Sequence, residues 1–288
     1  MQRNSSLERW TTSANTGQGR KIDLAEAGDS AVLQEEADSG AKAAAVLGER
    51  EDTKMSYTKR FDGRKFDELR PVEAKVGVIP RADGSAMYTS GKTIALAAVY
   101  GPRELHPKFM QNPQTGILRV HYNMMPFSGH GDRVRPGSSR RSREIAMVAE
   151  KALLPVLNLK EYPNAVVDVF IELPQTDAGT RCAGITAASM ALADAGLSMK
   201  DMVSAVAVGK VGDKVVVDLN YDEEAYEDGE VADIPVAMLP NSDKITLLQM
   251  DGEISREELK KALEMAKKAC KQIYEVQKKA LKQKYEAR

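Results

Sequence analysis

The chain has 288 residues, of which 42% are hydrophobic and 29% are charged, and its formal net charge is −1. This composition is ordinary for a globular protein, and the length suffices for one large domain or two modest ones. The near-neutral charge argues against a protein that coats nucleic acid or membrane with its whole surface, so a basic site has to be a local patch. The two cysteines lie far apart without metal-ligand spacing, which is typical of a reducing, cytoplasmic setting. No apolar run reaches the roughly 18 residues of a membrane span.

The first 54 residues differ from the rest. Met1–Lys54 is rich in Ser, Gly, Ala and acidic residues, and its apolar residues are mainly Ala. We interpret this stretch as a disordered extension. Met55 is a plausible original start, so the sequence predicts one folded domain over residues 55–288.

Strand signals follow in the next part of the chain. Alternating apolar residues predict strands at Ala74–Ile79 and Ile117–Met124, and a hairpin around Ser90 and Gly91. The hairpin strands are Ser85–Thr89 and Thr93–Val99.

The most basic segment of the chain contains five arginines and no acid. These are Arg133, Arg135, Arg140, Arg141 and Arg143. Ser138 or Ser139 can cap a helix whose apolar face is formed by Ile145, Val148, Ala149, Ala152, Leu153 and Val156. A charge run is usually a solvated surface, but arginines at a helix start favour phosphate contacts.

A strand, a small-residue turn and a helix follow. The β-branched run Ala165–Leu173 predicts a buried strand, and the Ala-rich stretch Cys182–Ala195 predicts a helix. Gly179, Thr180 and Arg181 then stand at a helix N-terminus, where free N–H groups and the helix dipole favour an anion. The alternative is an ordinary helix start with a solvated arginine.

The last third of the chain repeats the mixture of strands and a helix. Val203–Val208 and Val215–Asp218 predict a hairpin through Gly209–Asp213, and strands resume at Ile234–Leu239 and Ile245–Met250. Between them lies an acidic segment: Asp218, Asp222, Glu223, Glu224, Glu227, Asp228, Glu230 and Asp233. A capping box from Ser255 to Glu258 opens a long final helix. This order predicts an α+β fold with a loose internal duplication.

Three features together suggest a chemistry. The helix start at Arg141 and the turn at Arg181 could hold an oxyanion, and a carboxylate pair beginning at Asp218 could bind a divalent cation or move a proton. Asp218 ends an apolar strand, which would fix its position. Phosphate, metal and a basic approach path are suited to breaking a phosphodiester bond.

Seven motifs in one order then resemble a known family. From about Tyr57 onward the chain resembles the RNase PH superfamily of phosphorolytic 3′→5′ exoribonucleases, and within it the catalytic RNase PH-like subunits of archaeal exosomes. The motifs are Asp62-Gly-Arg64 with Glu68-Leu-Arg-Pro71, Gly101-Pro-Arg-Glu104, Tyr122-Asn-Met124 with Pro126-Phe-Ser128, Arg140-Arg-Ser142 with Glu144-Ile145, Asp177-Ala-Gly-Thr-Arg181, Val217-Asp-Leu-Asn-Tyr221 and Leu248-Gln-Met-Asp-Gly252.

The resemblance implies roles for particular residues. Orthophosphate would bind at Thr180 and Arg181 of the Gly179 turn and at Arg141, while Arg140 would contact RNA, with Arg133 and Arg135 beside it. The family has a general acid and a magnesium site formed by two carboxylates six residues apart. Asp218 is expected to be the first and Glu224 the second, with Asp222 as a substitute because this segment is about three residues longer than expected.

The resemblance also implies a reaction and an assembly. Inorganic phosphate, as co-substrate, would attack the 3′-terminal phosphodiester of single-stranded RNA and release nucleoside diphosphates, with Mg²⁺ as cofactor, and the reverse reaction would add 3′ tails. Three copies would alternate with a related inactive subunit in a ring capped by RNA-binding proteins. The implied fold is α+β, with pseudo-repeated β-rich halves and helices packed on the sheets.

Three alternatives stay open at this point. One is the inactive ring subunit, although such subunits tend to lose the acid that Asp218 matches. Another is a free-standing RNase PH that trims tRNA 3′ ends, although Arg140-Arg141 and the Tyr122 and Pro126 motifs favour the exosome type. The third is an RNA-binding module without enzymatic activity.

Overall fold

The computed structural model describes residues 57–227 and 229–286. The predicted disordered extension lies outside these described residues. In the described part, nine strands form two sheets and helices pack against them, so the predicted α+β class is confirmed. No helix in the described ranges is both long and apolar enough to cross a membrane.

The first sheet has five strands in the order β1-β2-β3-β5-β4. Their bounds are Val72–Val76 (β1), Gly84–Ser90 (β2), Thr93–Glu104 (β3), Ile117–Met124 (β4) and Ala165–Gln175 (β5). The predicted hairpin at Gly91 is confirmed, since Ser90 pairs with Thr93. Only the β4–β5 pair is parallel, and the crossover between these two strands contains the first long helix.

The second sheet has four antiparallel strands in the order β7-β6-β8-β9. Their bounds are Ser204–Val211 (β6), Lys214–Val217 (β7), Val231–Leu239 (β8) and Lys244–Leu248 (β9). The predicted hairpin exists, but its loop is shorter than expected. Pairing continues through Gly209 to Val211, because the tight turn needs only Gly212 and Asp213.

In the described part of the chain, four α-helices accompany the sheets: Arg140–Leu153 (α1), Thr180–Asp194 (α2), Tyr221–Glu224 (α3) and Arg256–Glu286 (α4). Short 3₁₀ turns lie at Lys108–Met110, Leu154–Val156 and Leu159–Glu161. Helix α2 contacts strands of both sheets and is buried on nearly all sides. Its small residues permit this close approach: a Cβ added at Gly184 would lie 3.0 Å from Ile171 Cγ2.

The N-termini of α1 and α4 have the predicted caps. The Ser139 side chain accepts a hydrogen bond from the Ser142 N–H. Ser255 and Glu258 exchange the two hydrogen bonds of a capping box. The buried face of α4 consists of Ala262, Ala266, Ala269, Cys270, Ile273, Gln277 and Ala280. Helix α4 thereby covers the second sheet and leaves a lysine-rich face outside.

Candidate active site

The turn between β5 and α2 presents bare backbone N–H groups. Ala178 and Gly179 both have left-handed backbone angles, with φ of 55° and 62°. Helix α2 then begins at Thr180, and Gly179 offers no side chain to cap it. The first helical bond is donated by Ala183 to the Gly179 carbonyl, which leaves the preceding N–H groups for a ligand.

These N–H groups border a cavity of about 230 Å³. Arg141 comes from the start of α1, Thr180 and Arg181 from α2, Glu224 from α3 and Asp233 from β8. The structure therefore brings together the predicted phosphate residues Arg141, Gly179, Thr180 and Arg181, and it adds the predicted carboxylate Glu224.

Asp218 does not line this cavity, so the prediction that its carboxylate lies beside Arg181 is wrong. The carboxylate of Asp218 is buried against Arg70, whose Nη2 and Nε donate to Oδ1 and Oδ2 at 2.6 and 3.0 Å. The Arg70 backbone N–H and the Ser90 hydroxyl also donate to Oδ2, at 2.9 and 3.1 Å. Asp218 has φ of 56°, so the chain turns sharply just after β7 and aims this side chain into the protein.

The Asp218–Arg70 pair supports the turn between β5 and α2 from the side opposite the cavity. Arg70 Nη1 donates a short hydrogen bond to the Asp177 carbonyl, and Thr93 Oγ1 lies 2.9 Å from the carbonyls of Asp177 and Ala178. A Cβ added at Gly179 would lie 3.2 Å from Arg70 Nη2. Asp218 therefore acts on the site through Arg70, as a positioning residue.

Glu224 reaches the cavity because its neighbour Glu223 is anchored. Glu223 is fully buried and accepts hydrogen bonds from Arg60 Nε and Nη2, both at 2.7 Å, and from the Tyr57 hydroxyl at 2.8 Å. It also forms a capping box with Asn220. With Glu223 fixed inward, Glu224 reaches the cavity wall while part of it stays exposed to solvent, and partial burial raises its pKa against the lowering effect of Arg141 and Arg181.

Asp233 is the residue that sequence reasoning missed. Its backbone is held on both sides, because it pairs with Gly209 of β6 and exchanges two hydrogen bonds with Asp251. Its Oδ1 is buried and has no hydrogen-bond partner among the described residues. Burial, followed by the charge of Glu224, raises its pKa from 3.8 to about 7. A sequence signal existed, since Asp233 directly precedes the apolar run of β8.

The opposite wall of the cavity is cationic. Arg181 lies with Nη2 3.6 Å from Glu144 Oε1, and its Nε is buried without a hydrogen-bond partner in the described part of the chain. Buried polar groups are normally satisfied, so the bare Arg181 Nε and Asp233 Oδ1 indicate a ligand that binds between them. The ligand would carry a negative charge next to Arg181. At its other end a carboxyl group could give it a proton or hold a cation against it.

The remaining predicted residues surround the cavity. Arg133, Arg135 and Arg140 are exposed and do not line it, although Val134 does. Asp222 is also exposed and outside the cavity, so Glu224 is the better placed of the two candidates. Sequence reasoning also missed His130 and Tyr221, whose rings stack at the cavity wall with centroids 4.8 Å apart.

The carboxylate wall fits a hard divalent cation only in part. No group of three or more potential ligands was found among the described residues. Glu224 and the free Oδ1 of Asp233 nevertheless provide two carboxylates, and Mg²⁺ commonly binds one or two carboxylates together with substrate phosphates and water. A magnesium site shared with substrate is therefore compatible with Glu224 and Asp233, in place of the predicted Asp218 and Glu224.

Comparison with known proteins identifies the family. Residues 68–198 match domain 1 of the 3′ exoribonuclease (RNase PH) family and residues 201–269 match domain 2. A Thermococcus onnurineus protein called exosome complex component Rrp41 is 53% identical over 77% of this chain and 89% of its own length. The chain belongs to the RNase PH family of 3′ exoribonucleases.

Solved structures agree with this fold. The crystal structure of rice Rrp46 has 25% identity and a TM-score of 0.69, covering 77% of this chain and all of the rice chain. A chain of the Archaeoglobus fulgidus exosome with RNA bound to its active site has 24% identity and a TM-score of 0.65, covering 82% of this chain and 97% of its own. The two family domains correspond to the two sheets, with α1 and α2 in the first.

Proposed function

We propose that this chain is the catalytic subunit of an exosome-type complex and that it degrades RNA from the 3′ end by phosphorolysis. The observation that carries the proposal is the cavity itself, in which a bare helix N-terminus and two arginines face the carboxylates of Glu224 and Asp233. The family assignment and the relatives called exosome complex component Rrp41 support the same function.

The arginine wall would hold the nucleophile. Orthophosphate would accept hydrogen bonds from the N–H groups at the start of α2 and from Arg141 and Arg181. Neutralising its charge lets it approach an anionic backbone, and the fixed turn holds it in line with the scissile bond. Phosphorolysis needs such a site, whereas a hydrolase would need only to orient a water molecule.

The carboxylate wall would serve the leaving group. A phosphate oxygen bonds to the phosphorus of the last phosphodiester, the bond to the 3′ oxygen of the preceding nucleotide breaks, and the nucleoside diphosphate leaves. The 3′ oxygen takes a proton, which Asp233 Oδ1 is placed to donate. The reverse sequence would add a nucleotide to the 3′ end.

We propose Mg²⁺ binding at Glu224 and Asp233 for the ionised form of Asp233, as an alternative to proton donation by this residue, because an oxygen that binds the ion carries no proton. When bound there, the ion would offset negative charge on the reacting phosphates. The chain's own contribution is to hold both carboxylates at one wall, through the buried Glu223 anchor and the doubly paired backbone of Asp233.

The RNA and the other subunits would lie around the cavity mouth. Arg133, Arg135 and Arg140 are exposed beside it and would contact the RNA backbone. Contacts of arginine with phosphate supply much of the affinity of a protein for RNA and position the strand. We further propose a cytoplasmic ring in which three copies alternate with a related inactive subunit beneath RNA-binding caps.

The test is RNA decay with and without inorganic phosphate, by this chain co-expressed with the partner subunit. We expect nucleoside diphosphates that appear only with phosphate, and 3′ extension when diphosphates are supplied in excess. Monophosphate products without phosphate would contradict phosphorolysis. Full activity of the chain alone on tRNA 3′ ends would instead favour a free-standing enzyme.

A further inference from the structure

A second, larger depression lies away from the active-site cavity. This groove is bounded by the loop Lys65–Asp67, by Lys214–Val215 of β7 and by residues of α4 from Lys261 to Gln272, and its volume is about 540 Å³. It shares no lining residue with the active-site cavity. Its function is not explained by the chemistry proposed above.

The rim of the groove is basic and its charge is uncompensated. Four lysines line it, Lys65, Lys214, Lys261 and Lys268, against a single carboxylate, Asp67. None of the four ammonium groups lies within ion-pair distance of a carboxylate of the described residues, although Lys267, Lys271 and Lys278 of the same helix do. Four unpaired lysines around one depression favour an anionic occupant.

The floor of the groove is apolar. Phe66, Val215, Met265 and Ala269 contribute to it, and Val215 and Ala269 are buried. An occupant that covers this floor gains from burying apolar side chains as well as from pairing charges. Inorganic anions alone would leave the floor exposed.

One side of the groove is the outer edge of a sheet, which is occupied at Val217 and free at Val215. Strand β7 is terminal in its sheet, and the Val217 N–H donates to the Phe66 carbonyl at 2.8 Å, away from β6. Because backbone groups alternate in direction along an antiparallel strand, the N–H and carbonyl of Val215 point to the same outer edge. No backbone partner for Val215 on that side exists in residues 57–227 and 229–286.

We propose that this groove binds an extended acidic segment of a partner protein. The segment adds to the edge of β7 at Val215, places apolar side chains on the floor and pairs its carboxylates with the four lysines. Strand addition explains why a free edge, an apolar floor and a basic rim occur together. An acidic peptide fits better than RNA, because the groove has no arginine and offers only one aromatic ring for stacking.

The test is fluorescence anisotropy with the full chain and a labelled nine-residue peptide of alternating glutamate and valine. We expect saturable binding that weakens as salt rises. Replacing two groove lysines, Lys261→Glu with Lys268→Glu, should weaken binding at least tenfold. The matched control, Lys260→Glu with Lys279→Glu, makes the same charge change at exposed positions of α4 outside the groove and should stay within twofold.

The outcomes separate the possible occupants. Equal losses in both double variants, or no binding by the unmodified chain, would overturn the proposal. A labelled nine-nucleotide RNA that binds more tightly than the peptide and is lost only in the groove variant would assign the groove to RNA instead. A peptide methylated at alternate backbone nitrogens should bind at least tenfold more weakly, and undiminished binding would rule out strand addition.

Discussion

Two aspartates, one after the edge strand β7 and one in the inner strand β8, differ in the partners of their carboxylates. Asp218 follows β7 and is surrounded by Arg70, Arg64 and Ser90. Burial alone would raise its pKa, but the charge and hydrogen bonds of Arg70 outweigh this effect and lower it. Asp233 stands in β8 with a bare Oδ1, and burial raises its pKa to about 7.

The contrast shows that the hydrogen-bond partners of a carboxylate decide whether its role is structural or catalytic. The Asp218 carboxylate accepts three hydrogen bonds from Arg70 and one from Ser90, which leaves little capacity for a substrate or a cation. The Asp233 carboxylate is held through its backbone, and its Oδ1 has no hydrogen-bond partner among the described residues, so this oxygen is available for proton transfer. Four experiments test this division.

The largest effect is expected for Asp233→Asn. Loss of a proton donor to the leaving oxygen should reduce phosphorolysis by about 10²–10⁴-fold. RNA binding should persist, since Arg133, Arg135 and Arg140 are unchanged. The measurement is single-turnover RNA decay in the assembled complex, with filter binding as the parallel readout. Activity within threefold of the unmodified protein would remove Asp233 from the mechanism.

For Asp218→Asn the expected damage is to stability. Removing the charge leaves Arg70 buried and unpaired, which typically costs about 3–5 kcal/mol. Urea unfolding at pH 7 measures this loss, and the exposed Asp222→Asn serves as the control. The variant should keep activity within tenfold well below its melting temperature. A stable but inactive variant would return Asp218 to the catalytic group.

Arg181→Ala should act on phosphate. A hydrogen bond to a charged group contributes about 1.5–3 kcal/mol, so the KM for phosphate should rise by roughly 10- to 100-fold. Arg143→Ala is the control, because Arg143 lines a different groove, between β4 and α1. The measurement is the steady-state rate of RNA decay at varied phosphate concentration, which gives the KM for phosphate. An unchanged KM would show that phosphate binds elsewhere.

The smallest effect concerns pH and stability without metal. Asp233 has a raised pKa in the folded protein, so its contribution to folding stability is full below its ordinary pKa of 3.8. This contribution is lost as the pH rises through the folded-state pKa of about 7. Asp233→Asn should therefore gain stability relative to the unmodified protein between pH 5 and pH 8. We expect this gain in the free energy of unfolding to be about 1–2 kcal/mol, less than the roughly 4 kcal/mol that a pKa raised from 3.8 to about 7 corresponds to, because the residue keeps some solvent contact. Thermal unfolding in a chelating buffer measures the difference, and equal pH profiles would contradict the raised pKa.

Local patterns predicted much of the fold. The alternation at Ile117–Met124, the stripe from Ile145 to Leu153 and the box from Ser255 to Glu258 all became the expected elements, because strand periodicity, helix periodicity and caps depend on near neighbours. The arginine positions of the cavity were also predictable, since a small-residue turn before a helix already defines an anion site.

The sequence by itself determined the fold class, the family and the cationic wall at Arg141 and Arg181. It did not determine which acid faces that wall. Asp218 and Asp233 both border apolar strands, so their local patterns are equivalent. The choice depends on Arg70, which is 148 residues from Asp218 and occupies its carboxylate, and on the turn at Asp218 that directs the side chain inward. Pairings over such distances form only in the folded protein, and they leave the Oδ1 of Asp233 without a hydrogen-bond partner among the described residues.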